Sequence, residues 1–223
     1  MSIVMSTDTV LSRILDIGII PSVRTASAED ARFAAQTMSD AGIPIVEITM
    51  TIPGALDVIA DLVRRLPDMV VGAGTVLDVE TAQRSTVAGA HFITGPGFDA
   101  RIADLGRSAQ VLVIPGAMTP TEITAAHHAG SPLIKVFPCG SLGGAEYIRA
   151  LRGPFPNLRF VAAGGVSLQS AADILRAGAV AIGVGREIIP KQAIEHRQPD
   201  WIEELVRRFT AIVKEARAAG ADA

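Results

Sequence analysis

Eight short and almost wholly apolar runs, spaced through 223 residues and separated by longer amphipathic stretches, constrain this chain more than any other feature. They are IIPSV (19–23), IVEITM (45–50), MVVGAG (69–74), HFITG (91–95), VLVIPG (111–116), LIKVF (133–137), RFVAAG (159–164) and VAIGVG (180–185). They lack the apolar–polar alternation of a sheet with one wet face. Each therefore reads as a strand buried on both sides, as in parallel sheets covered by helices.

The stretches between them carry helix signals. Ser27 precedes acids in SAEDARFAAQTMSDAG, a good N-cap, and Thr119 stands before Pro120, which is favoured in a first turn. A further helix signal, SLQSAADILRAG, begins at Ser167. Four helical stretches end in Ala-Gly, at Gly42, Gly89, Gly130 and Gly178, spaced 41 to 48 residues apart. Strand and helix alternating eight times predict an α/β fold, a (β/α)8 TIM barrel in a single domain over residues 1–223. An extra N-terminal helix is expected at about 7–17, closing the N-terminal end of the barrel, and a C-terminal helix at about 199–218. The alternative is an open doubly wound sheet, but no G-x-G-x-x-G follows the first strand.

Composition narrows the function classes. Hydrophobic residues make up 49% and charged residues 19%, a globular balance. The net charge is −3 and no basic block occurs, so nucleic acid is not expected as a partner. No apolar run approaches the ~18 residues of a membrane span, and the N-terminus lacks a basic start followed by an apolar core, so neither a membrane nor secretion is expected. The lone Cys139 has no disulfide partner within the chain and fits a reducing compartment, with the cytoplasm as the expected location.

A barrel gathers its chemistry at the C-terminal ends of its strands. Lys135 lies there, inside LIKVF, and it is one of only three lysines against seventeen arginines. A desolvated amine is favoured in its neutral form, which attacks ketones; a buried stem with its head in a salt bridge or in water is the other description that fits. Glu47, in PIVEITM, is either the salt-bridge partner of Lys135 or an acid–base group beside it. Arg24 ends the first strand and is suited to grip a carboxylate, or else is a surface arginine at a loop start. The AAGGVS and GVGR segments after the seventh and eighth strands match the usual phosphate site of barrels, through Gly164, Gly165, Gly185 and Arg186, although tight turns also need glycine. The histidines are not spaced as a metal pair, and no protein-built metal site is expected.

The segments VEITMTIPGA, VGAGTVLD, ITGPGF, IPGAMTPTE, LIKVFPCGSLGG, RGPFPNLRFVAAGGVS and AIGVG occur in this order across almost the whole chain. Together they resemble the class I, Schiff-base aldolases that cleave 2-keto-3-deoxy-6-phosphogluconate and 4-hydroxy-2-oxoglutarate. The resemblance implies a (β/α)8 barrel, a homotrimer, no cofactor and a small 2-keto acid substrate. It places the Schiff-base lysine on Lys135 and the proton-shuttling glutamate on Glu47. Thr75 falls beside the pyruvyl group, the substrate-binding proline of the fourth-strand motif on Pro96, the aromatic two residues beyond the lysine on Phe137, and the phosphate loops on Gly164, Gly165 and Gly185. Three positions depart from the pattern. Where some members carry the carboxylate-binding arginine this chain has Thr51, and Arg24 fits the place used by others. Ala163 stands where threonine is common, and Arg186 where serine is common. The competing readings are a phosphate-binding barrel isomerase, which needs no imine, and a non-catalytic sugar-acid binding protein.

Overall fold

Pro115 divides what the sequence presents as one fifth strand. The computed structural model describes residues 5–221. Its strands are β1 (Ile19–Val23), β2 (Ile45–Thr49), β3 (Val70–Gly74), β4 (Phe92–Thr94), β5 (Leu112–Ile114), β6 (Gly116–Ala117), β7 (Ile134–Val136), β8 (Phe160–Ala163) and β9 (Ala179–Val184). They form one sheet in the order β5-β4-β3-β2-β1-β9-β8-β7-β6, and neighbouring strands pair in parallel. The two ends of this order, β5 and β6, are consecutive in the chain. The chain therefore closes the sheet on itself, and the expected eight-stranded barrel is present with its fifth strand split.

The split has a local cause. Proline has no N–H to give to a ladder. Beyond it, Gly116 donates its N–H to Gly97 O at 3.2 Å, in the loop after β4. A Cβ at Gly116 would lie 2.2 Å from the Pro96 carbonyl carbon, so only glycine lets the two backbones approach this closely.

The helices are α1 (Thr7–Ile17), α2 (Ala28–Asp40), α3 (Ala55–Arg65), α4 (Val79–Val87), α5 (Ala100–Ala109), α6 (Pro120–His128), α7 (Ala145–Arg152), α8 (Ala171–Arg176), α9 (Lys191–Glu195) and α10 (Pro199–Ala221). The caps follow the sequence signals. Ser27 accepts the Asp30 N–H, and Thr119 forms a reciprocal capping box with Glu122 ahead of Pro120. The extra helix α1 lies at the N-terminal end of the barrel. Thr7 donates to Gln110 O just before β5, Arg13 donates to Asp68 O just before β3, and Val10 and Ile14 are fully buried.

Two local expectations shift. The helix signalled from Ser167 begins only at Ala171; Ser167 and Ser170 first exchange hydrogen bonds in a turn. The short α9 intervenes before α10, which packs against α8 and α2. Among the described residues, no helix is long and apolar enough to cross a membrane. The core is built from β-branched and small residues. All five positions of β2 and of β3 are buried, Glu47 among them, and Phe92, Phe160 and Phe209 are the largest side chains with no exposure.

Candidate active site

A buried carboxylate inside a barrel has to be accounted for first. Glu47 sits in the middle of β2 with its side chain 5% exposed. Its Oε1 accepts a hydrogen bond from Ser22 Oγ of β1 at 2.6 Å, and its Oε2 accepts one from Thr94 Oγ1 of β4 at 2.6 Å. Lys135 Nζ, from β7 across the barrel, lies 3.5 Å from Oε2 and 3.4 Å from Thr94 Oγ1. Burial pushes the Glu47 carboxyl up, but the Lys135 charge and the Ser22 and Thr94 hydroxyls together outweigh it and hold the group below the ordinary carboxylate range. Glu47 is thus an ionised acceptor held by three neighbours.

Lys135 has its side chain 13% exposed, with Nζ 5.4 Å from the centre of the Phe137 ring. The apolar walls expected from LIKVF are there, with Ile114 and Val161 beside it, and they enclose a carboxylate as well. The sequence left a salt bridge and a reactive amine both open for this residue. The geometry joins them, because the lysine head is ion-paired and also faces open space. Cys139, close by in sequence, is fully buried, and burial pushes its thiol up to about 11, so it is an inert packing residue.

That open space is a cavity of about 850 Å³ at the C-terminal ends of the strands. It brings together every candidate site residue read from the sequence. Lys135 and Glu47 lie at its floor, and Arg24, Thr75, Pro96 and Phe137 line its wall. Gly164, Gly165, Gly185 and Arg186 line it on the β8 and β9 side. Arg24 Nη2 donates to Thr75 Oγ1 at 3.3 Å. Thr75 itself holds φ at 59°, in the left-handed region that disfavours a β-branched residue by roughly 1–3 kcal/mol. Gly164, at φ 80°, lies against Phe137; a Cβ there would come within 2.8 Å of the ring. Thr51 is exposed and does not line the cavity; its hydroxyl pairs with Thr49 at 2.9 Å. Among the described residues, no group of three or more His, Cys, Asp or Glu is arranged to hold a metal ion.

Sequence reasoning missed some of the lining. Ser22 is the clearest case, and the signal for it was the two-residue period of a strand. Ile20, Ser22 and Arg24 all line the cavity, so Arg24 alone would have pointed back to Ser22. Thr94 lies within the HFITG run, but nothing in the sequence pairs it with Glu47. Ser167 and Glu187 also line the cavity, from loops that have no period to betray them.

Residues 10–205 match the family model described as "Aldolase: KDPG and KHG aldolase". A 2-dehydro-3-deoxy-phosphogluconate aldolase from Treponema pallidum is 34% identical over 205 residues, which cover 92% of this chain and 98% of the relative. One from Haemophilus influenzae is 30% identical over 209 residues, covering 94% and 99%. Among solved structures, a KDPG aldolase from Legionella pneumophila with pyruvate captured at low pH as a covalent carbinolamine superposes with a TM-score of 0.83. It is 27% identical, and the match covers 91% of this chain and 97% of that one.

Proposed function

Because this chain belongs to the KDPG and KHG aldolase family, a family of carbon–carbon lyases, we propose that it cleaves 2-dehydro-3-deoxy-6-phosphogluconate through an imine on Lys135. The products are pyruvate and glyceraldehyde 3-phosphate. The observation that carries this reading is the pairing of Lys135, the only lysine lining the cavity, with the buried Glu47 carboxylate 3.5 Å away.

Arg24, at the cavity wall, holds the C1 carboxylate of the substrate, with Thr75 steadying the guanidinium. Lys135 passes a proton to Glu47 and its free amine adds to the C2 ketone. Loss of water from the carbinolamine, with Glu47 moving the protons, leaves an iminium. The C3–C4 bond then breaks. Its electron pair enters the iminium to give an enamine, the C4 hydroxyl proton goes to Glu47, and the aldehyde departs. Protonation at C3 and hydrolysis return pyruvate and the free lysine. The carbinolamine of the Legionella pneumophila relative supports the covalent step, since it joins pyruvate to its protein.

The phosphate of the substrate is assigned to the loops at Gly164, Gly165, Gly185 and Arg186, which favour the phosphorylated acid as the better substrate. Cleavage of 4-hydroxy-2-oxoglutarate to pyruvate and glyoxylate uses the same floor and is expected as a second activity. A homotrimer in the cytoplasm is part of this proposal by family likeness.

Borohydride reduction in the presence of pyruvate tests the reading. Wild-type protein is expected to gain one reduced pyruvyl group, mapped to the peptide holding Lys135, and Lys135→Ala to gain none. Activity without any trapped adduct would overturn the imine in favour of an acid–base isomerase-like barrel. Binding of the sugar acid with no pyruvate released in a coupled dehydrogenase assay would leave a non-catalytic binding protein.

A further inference from the structure

β1 is an apolar strand with one interruption: Ile19, Ile20 and Val23 are buried, and Ser22 stands among them. Ser22 is half-buried, and a hydroxyl withdrawn from water costs free energy unless it finds a partner. Ser22 finds one by register. Ser22 and Glu47 are paired residues in the parallel β1–β2 ladder. Their side chains therefore emerge next to each other, and Ser22 Oγ reaches Glu47 Oε1 at 2.6 Å. An ionised carboxylate only accepts hydrogen bonds, so Ser22 is the donor. The distance lies in the short, charge-assisted range for a hydroxyl on a carboxylate.

The two oxygens of Glu47 are consequently distinct. Oε1 is held by Ser22, while Oε2 takes the Thr94 hydroxyl and faces Lys135. Nothing within a glutamate enforces this. Its terminal torsion joins a tetrahedral to a planar carbon and is broad, so the plane of the carboxylate has to be set from outside. Lys135 is a poor candidate for the task, because its nitrogen is consumed in the covalent intermediate. Thr94 engages only one oxygen and leaves rotation about that contact free. Ser22 supplies the second fixed point, and it stays in place whatever happens to the lysine.

We propose that Ser22 is the positioning residue for the proton-moving carboxylate: its hydroxyl sets the plane of Glu47 so that Oε2 stays turned toward Lys135. This rests on the reading that Glu47 moves protons for an imine on Lys135. β1 then does two jobs from one face. Ser22 fixes the base, and Arg24, two residues on and about 6.6 Å further along the strand, holds the substrate carboxylate. The distance between base and substrate anchor is thereby set by a single strand.

The test is steady-state cleavage by Ser22→Ala, Ser22→Cys and Ser22→Thr, together with pyruvate trapping of each. Alanine removes only the hydroxyl; cysteine keeps the volume with a weak donor and carries the test if the alanine variant does not fold. In both, kcat is expected to fall about tenfold or more, as part of the ~10²-fold or larger contribution of a placed acid–base group. The pyruvate dissociation constant should stay within about twofold, since Arg24 is intact. The acid limb of the kcat/KM profile should move to higher pH, because one of the hydrogen bonds that favour the ionised carboxylate is gone. Ser22→Thr, which keeps Oγ, should restore kcat and the profile. If wild type is trapped with pyruvate while Ser22→Ala or Ser22→Cys keeps the wild-type kcat and acid limb, the positioning role is wrong. It is equally wrong if threonine fails to restore what alanine removes. If wild type itself is never trapped, the imine reading fails first.

Discussion

The Glu47 carboxylate occupies the space where a side chain on Gly74 would be: a Cβ built there would lie 2.4 Å from Oε1 and 2.5 Å from Cγ and Cδ. The glycine of GAGT is therefore part of how β3 accommodates the carboxylate, alongside the hydroxyls of β1 and β4 and the ammonium of β7. Gly74→Ala should push Glu47 off its two 2.6 Å hydrogen bonds. Overpacking of this kind costs about 1–3 kcal/mol, and a displacement of an ångström in a catalytic group can cost about a hundredfold in rate. The expected outcome is a folded variant with a lowered denaturation midpoint and kcat reduced at least about tenfold. Wild-type kcat in a folded Gly74→Ala protein would show that the placing of Glu47 does not matter.

Arg24 supports a second prediction. Its guanidinium lines the cavity, and its hydrogen-bond partner Thr75 is a neutral hydroxyl, so a substrate carboxylate would be its charge partner. Hydrogen bonds to charged groups contribute about 1.5–3 kcal/mol each, so Arg24→Ala should weaken pyruvate binding about 10- to 100-fold. The residue is exposed and lies at a strand end, so thermal stability should hardly change. Calorimetric titration with pyruvate decides: unchanged affinity would remove the carboxylate role.

What the sequence revealed and what it hid follow from how each residue breaks its surroundings. Lys135 and Glu47 stand out because a charge in a run of Ile and Val has a high desolvation cost. Ser22 breaks the same kind of run, half-buried, but serine is tolerated in strands and attracts no attention. Only the β1–β2 register joins it to Glu47. The eight strands were legible because each is short and apolar throughout. The break at Pro115 was not, because an apolar run continues across it and the contact that re-aims the chain beyond it, Gly116 with the Gly97 loop, joins residues from different strand–helix units. Glu187 and Ser167 occupy loops, where no periodicity fixes direction, and α9 spans only five residues, too few for a pattern.

His91 gives a prediction about stability and pH. Its Nδ1 accepts the Val71 N–H at 3.0 Å, which requires that nitrogen to be unprotonated. Burial first, and then the Arg13 charge, hold the ring below its ordinary value of 6.5. The unfolded chain therefore takes up a proton at a pH where the folded protein does not. This contribution to stability is complete above the unfolded value of 6.5 and is lost as pH falls from there toward the depressed folded value. Denaturant midpoints measured from about pH 7.5 down to 5 should fall more steeply for wild type than for His91→Asn, whose amide oxygen accepts without titrating. Parallel curves would exclude His91 as a source of acid sensitivity.

The proposed phosphate site in the β8 and β9 loops predicts which substrate is preferred. Arg186 and Glu187 both line this part of the cavity, with opposite charges, and Ala163 contributes no hydroxyl at the end of β8. A phosphate carries a charge of about −1.5 to −2 near neutral pH. A phosphate held there would be attracted by Arg186 and repelled by Glu187, whereas glyoxylate released from the shorter acid presents only a carboxylate. Arg186→Ala should therefore lower kcat/KM on the phosphorylated acid about tenfold or more and change it about twofold or less on 4-hydroxy-2-oxoglutarate. Glu187→Gln should move the ratio the other way, by lowering KM for the phosphorylated acid alone. Both effects should shrink as ionic strength rises above about 0.15 M, where screening sets in over about 8 Å. Equal changes on the two substrates would mean that the phosphate does not sit between these loops, and the preference would then have to be sought in the backbone at Gly164 and Gly165.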